Sequence, residues 1–175
     1  MFIVAILLVI LGVVMRLVPH PANFAPIMAI GLFAGTYMDK RYAFWVPIIT
    51  LVISDFVIGL YNPYVMFSVY ASFAVAVLIG QWLKKRKSFS NIAAGTLAGS
   101  LLFFFTTNFA VWAFGTLYPK TLEGLVASYI AAIPFFRNSL MGDVTYVALF
   151  FGAYEGVRYI IKNKIFIKGA IKWPM

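Results

Sequence analysis

From Phe2 to Ile161 the chain is a succession of apolar runs, each broken by proline, glycine or a short charged cluster. Nothing constrains its fold more than these runs. About 20 apolar residues in a helix cross the roughly 30 Å hydrocarbon core of a bilayer. Inside lipid every backbone N–H and C=O must be paired within the chain, so only helices or a closed barrel are open to such a sequence. The runs therefore predict membrane-spanning helices. Composition agrees: 63% of residues are hydrophobic and 11% charged, against roughly 45–50% and about 25% in soluble domains. The expected fold is an all-α integral membrane protein.

The runs place six spans at residues 2–18, 24–37, 43–60, 65–83, 92–114 and 138–161. A seventh apolar run, 125–136, is closed by Pro134 and Arg137 and is too short to cross. It is expected to be a short re-entrant or surface helix before the last span. The chain is thus expected to be a compact six-helix transmembrane bundle. Residues 1–161 would form one domain, and the basic stretch KNKIFIKGAIKWPM, residues 162–175, a cytoplasmic tail on the membrane surface. The first run has no basic segment before it and no small-residue cleavage site after it, so it reads as a retained helix.

A net charge of +9 could suggest a nucleic-acid partner, but the cations cluster between apolar runs, as they do in cytoplasmic loops. With the N-terminus inside, eleven of the 14 Lys and Arg fall on the inner side, including Lys40, Arg41 and the KKRK block 84–87. Only Arg16, Lys120 and Arg137 fall outside. Both termini are therefore expected in the cytoplasm, with the chain multi-pass in its membrane and no nucleic acid among its partners.

This topology sends most intramembrane polar residues to the outer half. The joint RLVPHPANFAP, residues 16–26, holds Arg16, the single histidine His20, Asn23 and three prolines. Ser54 and Asp55 close the third span, and Asn108 and Trp112, four apart and so on one face, lie in the outer part of the fifth. Tyr118 and Lys120 follow in the outer loop, and Arg137, Asn138 and Asp143 open the last span. Ionised groups within lipid normally pair or face a cavity. Headgroup snorkelling by Arg16 and N-capping by Asn138 account for single members, but not for Asp55, Asn108 and Asp143 together. A small-molecule pocket at the outer mouth is the expectation, with Trp112 in it while Tyr61 and Tyr64 belong to an aromatic belt.

Small residues spaced by four at Ala25 and Ala29, Gly31 and Gly35, Ala94 and Ala98, and Gly95 and Gly99 allow close helix approach, within the chain or onto a partner. Glu155 and Arg158, three apart, read as a local ion pair. There is no phosphate-cradling GxxxxGK[ST] loop. With no cysteine and one histidine, neither a protein-built metal site nor a cofactor is expected.

The stretches RLVPHPANFAPIMAIGLFAG, PIITLVISD, TNFAVW with the following YP, and AIPFFRNSLMGD resemble a group of small, uncharacterised bacterial membrane proteins over roughly residues 16–154. That group resembles in turn the substrate-binding S components of energy-coupling-factor vitamin transporters, nearest the cobalamin type. The resemblance implies a subunit for uptake of a vitamin or cobalamin-like compound, loaded from outside and coupled to a transmembrane subunit with two ATPases. It would put Arg16, His20, Asn23, Asp55, Asn108, Trp112, Arg137, Asn138 and Asp143 in the pocket. That family docks through an AxxxA-like patch on its first helix. Here the nearest match, Ala25 and Ala29, opens the second, and Gly31 and Gly35 continue that face. Two other functions remain open: an intramembrane enzyme using His20 with Asp55 or Asp143, and a structural or assembly protein packing through small-residue faces.

Overall fold

The computed structural model describes residues 2–170, with side chains through residue 163. The described residues form six helices: α1 (Phe2–Leu17), α2 (Ile27–Tyr37), α3 (Lys40–Ile58), α4 (Pro63–Lys85), α5 (Phe89–Phe114) and α6 (Leu122–Ala170). α3, α4 and α5 are long and apolar enough to cross a membrane. Large apolar side chains such as Trp45, Phe56, Phe67 and Leu149 stand exposed around the bundle, as membrane association requires and a soluble monomer avoids.

Local chemistry sets most boundaries. Asn62 caps α4, its Oδ1 accepting from the Tyr64 and Val65 amides at 2.9 and 3.3 Å, with Pro63 in the first turn. Its Nδ2 donates to the Phe114 carbonyl at 2.8 Å, tying the start of α4 to the end of α5. Ser88 caps α5 through the Asn91 amide. Gly59 ends α3 at φ 117, a left-handed backbone that favours glycine. Within the helices the hydroxyls of Thr50, Ser72, Thr96 and Thr107 donate to carbonyls four residues back, so none is left unpaired in an apolar setting.

α1 and α3 run parallel, from the Phe2–Tyr42 ring contact to the Arg16–Asp55 ion pair. α2, α4 and α6 run the opposite way. Among the described residues α1, α3, α4, α5 and α6 form an open ring in that order, and α2 alone touches all five of the others. Ten of its 11 residues are buried. The α2–α4 crossing is tight because both sides are glycine there. A Cβ on Gly35 would fall on the Val77 carbonyl oxygen and within 2.9 Å of Gly80 Cα. Thr36 adds a hydrogen bond to the Gly80 carbonyl at 3.0 Å.

The central helix is also the shortest. Eleven residues make about 16 Å, against about 34 and 39 Å for the 23 and 26 residues of α4 and α5. Its C-terminus is flush with the basic end of the bundle: the Tyr37 hydroxyl donates to Glu155 Oε1 at 2.6 Å, and the Lys87 ammonium lies 5.0 Å from the Tyr37 ring centroid. α2 therefore stops roughly 20 Å short of the other end, where the joint folds in over it. That missing length of helix makes the site.

Several expectations change here. Residues 125–136 are not a separate re-entrant or surface helix: they are the first turns of α6, a single helix of 49 residues with Pro134 inside it. A proline ends a helix in water, but against neighbouring helices its lost hydrogen bond is tolerated. Aromatic packing of Tyr129 and Phe136 on Phe104 holds this segment along α5. Glu155 pairs with Lys87 rather than Arg158. Ala29, Gly31 and Gly35 are buried, the two glycines against α4, and Ala25 lines the site described next. The small-residue face of α2 is thus used inside the chain and not offered to a partner. The expected break after 161 is absent: residues 162–170 of the expected tail, 162–175, continue α6, and 171–175 lie outside the described residues.

Candidate functional site

Above the N-terminus of α2 is a cavity of about 250 Å³. Its polar lining is Arg16 and Asn23 from the joint, Tyr61 from the α3–α4 turn, and Ser139 and Asp143 from α6. Its apolar lining comes from Ile27 and Met28 of α2, Leu51 of α3, Val69 and Phe73 of α4, and Phe103 of α5. A second space of about 210 Å³ shares Asn23, Phe103 and Ser139 with it and extends along Asn108, Val111, Ala132 and Phe136. The two are lobes of one bowl, with Asn23 between them. Asn23 has φ 64, a left-handed conformation that asparagine tolerates better than most residues. Gly142 of α6 lets the joint approach: a Cβ there would lie 3.3 Å from Phe24 Cα.

Arg16 is held from behind. Its Nη1 donates to Ser54 Oγ at 2.6 Å and its Nη2 lies 2.8 Å from Asp55 Oδ1. The other Asp55 oxygen accepts from the Tyr70 hydroxyl at 3.0 Å. Asp55 is 1% exposed, so its charge is met by an arginine rather than by water, as burial demands. Burial pushes the Tyr61 hydroxyl up to about 12, Asp55 adding to the shift and Arg16 opposing it.

Asp143 has no such partner. It is 5% exposed, and its Oδ2 accepts one hydrogen bond, from Ser100 Oγ at 2.6 Å. Among the described residues no cation lies within ion-pair distance of it. The bowl thus holds one guanidinium already neutralised and one carboxylate that is not. No group of three His, Asp or Glu side chains converges as metal ligands would, among the described residues.

A family model described as a family of unknown function, DUF6580, matches residues 1–164. The chain belongs to DUF6580. No curated protein and no solved structure matches it.

In this DUF6580 chain the residues expected at the pocket separate into three groups. Arg16, Asn23, Asn108 and Asp143 line the bowl. Asn108 donates to the Phe104 carbonyl at 2.7 Å. Asp55 stands behind the wall and acts on the bowl through Arg16.

The others face elsewhere. Arg137 and Asn138 line a separate shallow space with Pro134 and Met141 on the outside of α6. The reason is helical phase: at 100° per residue Asp143 stands about 120–140° around the helix from both. Ser139, four residues before Asp143, shares its face and enters the bowl in their place. Trp112 donates its indole N–H to the Pro119 carbonyl at 3.0 Å, and Lys120 donates to the carbonyls of Trp112 and Gly115, so these side chains pin the α5–α6 loop. Tyr118 is half-buried in that loop, outside either lobe's lining. His20 Nδ1 sits 2.7 Å from the Pro21 carbonyl and lines neither lobe. Sequence reasoning missed Ser100, Ser139, Tyr61, Phe73 and Phe103. The i, i+4 spacing of Ser139 to Asp143 was a signal for one of them; the rest needed the packing.

Proposed function

We propose that the chain is a substrate-binding membrane subunit for uptake of a vitamin-like small molecule, working as the S components of energy-coupling-factor transporters do. In this reading the bundle crosses a bacterial inner membrane with both termini in the cytoplasm, α2 reaching only part of the way across. The Lys40, Lys84–Lys87 and Arg158 end is then inside and the joint end outside. The observation that carries the reading is the bowl at the joint end: a two-lobed cavity inside a bundle, with aromatic side chains in both lobes and a buried carboxylate that no described cation pairs with. A binding site has this form, mostly apolar with a few convergent polar groups. A bundle that only packed helices would fill the space, because each void and each unpaired buried polar group costs stability. Energy coupling would come from a separate transmembrane subunit and its ATPases.

Native mass spectrometry of protein gently extracted from its own membranes tests this. The expected result is a small-molecule adduct lost on unfolding, with the coupling subunit co-extracted. A folded sample with no adduct, and no saturable binding from extracts of the growth medium, would overturn it.

A further inference from the structure

Charge in the bowl is unbalanced. Arg16 is matched by Asp55 at 2.8 Å, and the one other Asp, Glu, Lys, Arg or His side chain in the described lining is Asp143. Its carboxyl group is buried, aligned by the Ser100 hydroxyl, and shares its cavity with an apolar wall in which the Phe73 and Phe103 rings stand 5.2 Å apart. A buried carboxylate is stable when a positively charged donor meets it, and among the described residues none is in ion-pair contact with Asp143. Aromatic faces nearby attract a cation further. At about 250 Å³ the main lobe is smaller than the roughly 300–1,000 Å³ of drug-sized sites.

We propose that the bowl takes a small organic cation, a protonated amine on a flat apolar body, with its ammonium on Asp143 and its body against Phe73 and Phe103. This rests on the reading of the bowl as a substrate site and names the substrate class. Ser139, one turn from Asp143 on the same face, offers the second polar contact. Arg16 and Asn23, also in the lining, accommodate a hydroxyl or carbonyl on the same molecule.

The test compares three probes of one size and shape on the purified full chain in lipid nanodiscs: benzylamine, which is protonated at neutral pH, benzyl alcohol and benzoate. Affinities are read by ligand-observed NMR titration. Benzylamine is expected to bind about 10-fold to 100-fold more tightly than benzyl alcohol, the range of one charge-assisted hydrogen bond, with benzoate weakest. Asp143→Asn should remove the preference for the amine over benzyl alcohol. The ranking in the unaltered protein needs no variant, so a misfolded Asp143→Asn does not spare the proposal. Benzoate binding at least as well as the amine, equal binding of all three, or a preference that survives in folded Asp143→Asn would overturn it. A neutral or anionic molecule retained by native protein would overturn the cation but leave the substrate-site reading standing. No retained molecule and no probe binding would overturn both.

Discussion

Arg16→Met would leave Asp55 without the cation that faces it. The carboxylate is 1% exposed and would keep a single partner, the Tyr70 hydroxyl at 3.0 Å. Removing one member of a buried ion pair costs about 3–5 kcal/mol, because the other charge stays buried and uncompensated. Asp55→Asn is the gentler half of the pair. The Arg16 side chain is 18% exposed, opens on the bowl, and retains Ser54 Oγ at 2.6 Å, so water can reach the guanidinium. The loss is then an ion pair whose remaining member is partly solvated, about 1–2 kcal/mol. The expected order is Arg16→Met worse than Asp55→Asn by about 2 kcal/mol. The double variant Arg16→Met/Asp55→Leu removes both charges and should be more stable than Arg16→Met alone. Unfolding in mixed micelles by titrated sodium dodecyl sulfate, followed by tryptophan fluorescence, measures all four proteins on one scale. Equal costs for the two single variants, or a double variant less stable than Arg16→Met, would refute the pairing as drawn.

Three further outcomes follow from the packing. Gly35→Ala and Gly80→Ala each set a methyl group against backbone of the facing helix and should destabilise by about 1–3 kcal/mol in the same titration. Gly152→Ala, which meets nothing within 4 Å, should be neutral or slightly stabilising. Lys87→Met removes a pair whose side chains are 30% and 40% exposed and should cost less than about 1 kcal/mol; a larger loss would mean that Lys87, Glu155 and Tyr37 act as one unit. The cysteine-free chain also makes orientation directly measurable. In intact cells a membrane-impermeant maleimide should label Thr116→Cys, and it should label Ser90→Cys only after lysis; the reverse pattern would invert the proposed topology.

The helical membrane class was legible from the length of the apolar runs, and five of the six helices lie within a few residues of where proline, glycine and charge clusters place them. Gathering of polar residues toward one end was legible for the same reason: position along a run fixes depth. Direction around a helix was not. Arg137 and Asn138 were as plausible as Asp143 until α5 fixed which face of α6 turns inward. Trp112 shares a face with Asn108, but α5 ends two residues after it, and the loop carbonyl of Pro119 takes its indole. Pro134 reads as a stop because proline cannot donate to the helix ladder, yet a helix flanked by others tolerates that loss.

Sequence by itself therefore determined the solvent this chain folds in, where its helices break, and that Arg16, Asn23 and Asp55 stand near one end, since these follow from local hydropathy and backbone chemistry. Only the tertiary structure decided that the shortest helix is the central one. That single fact empties the core above Met28 and joins Arg16 to Asp55 across 38 intervening residues of chain. It leaves Asp143 facing a cavity with no cation of its own. Burial of a carboxylate and the pairing of distant charges depend on which helices surround them, and no local pattern carries that.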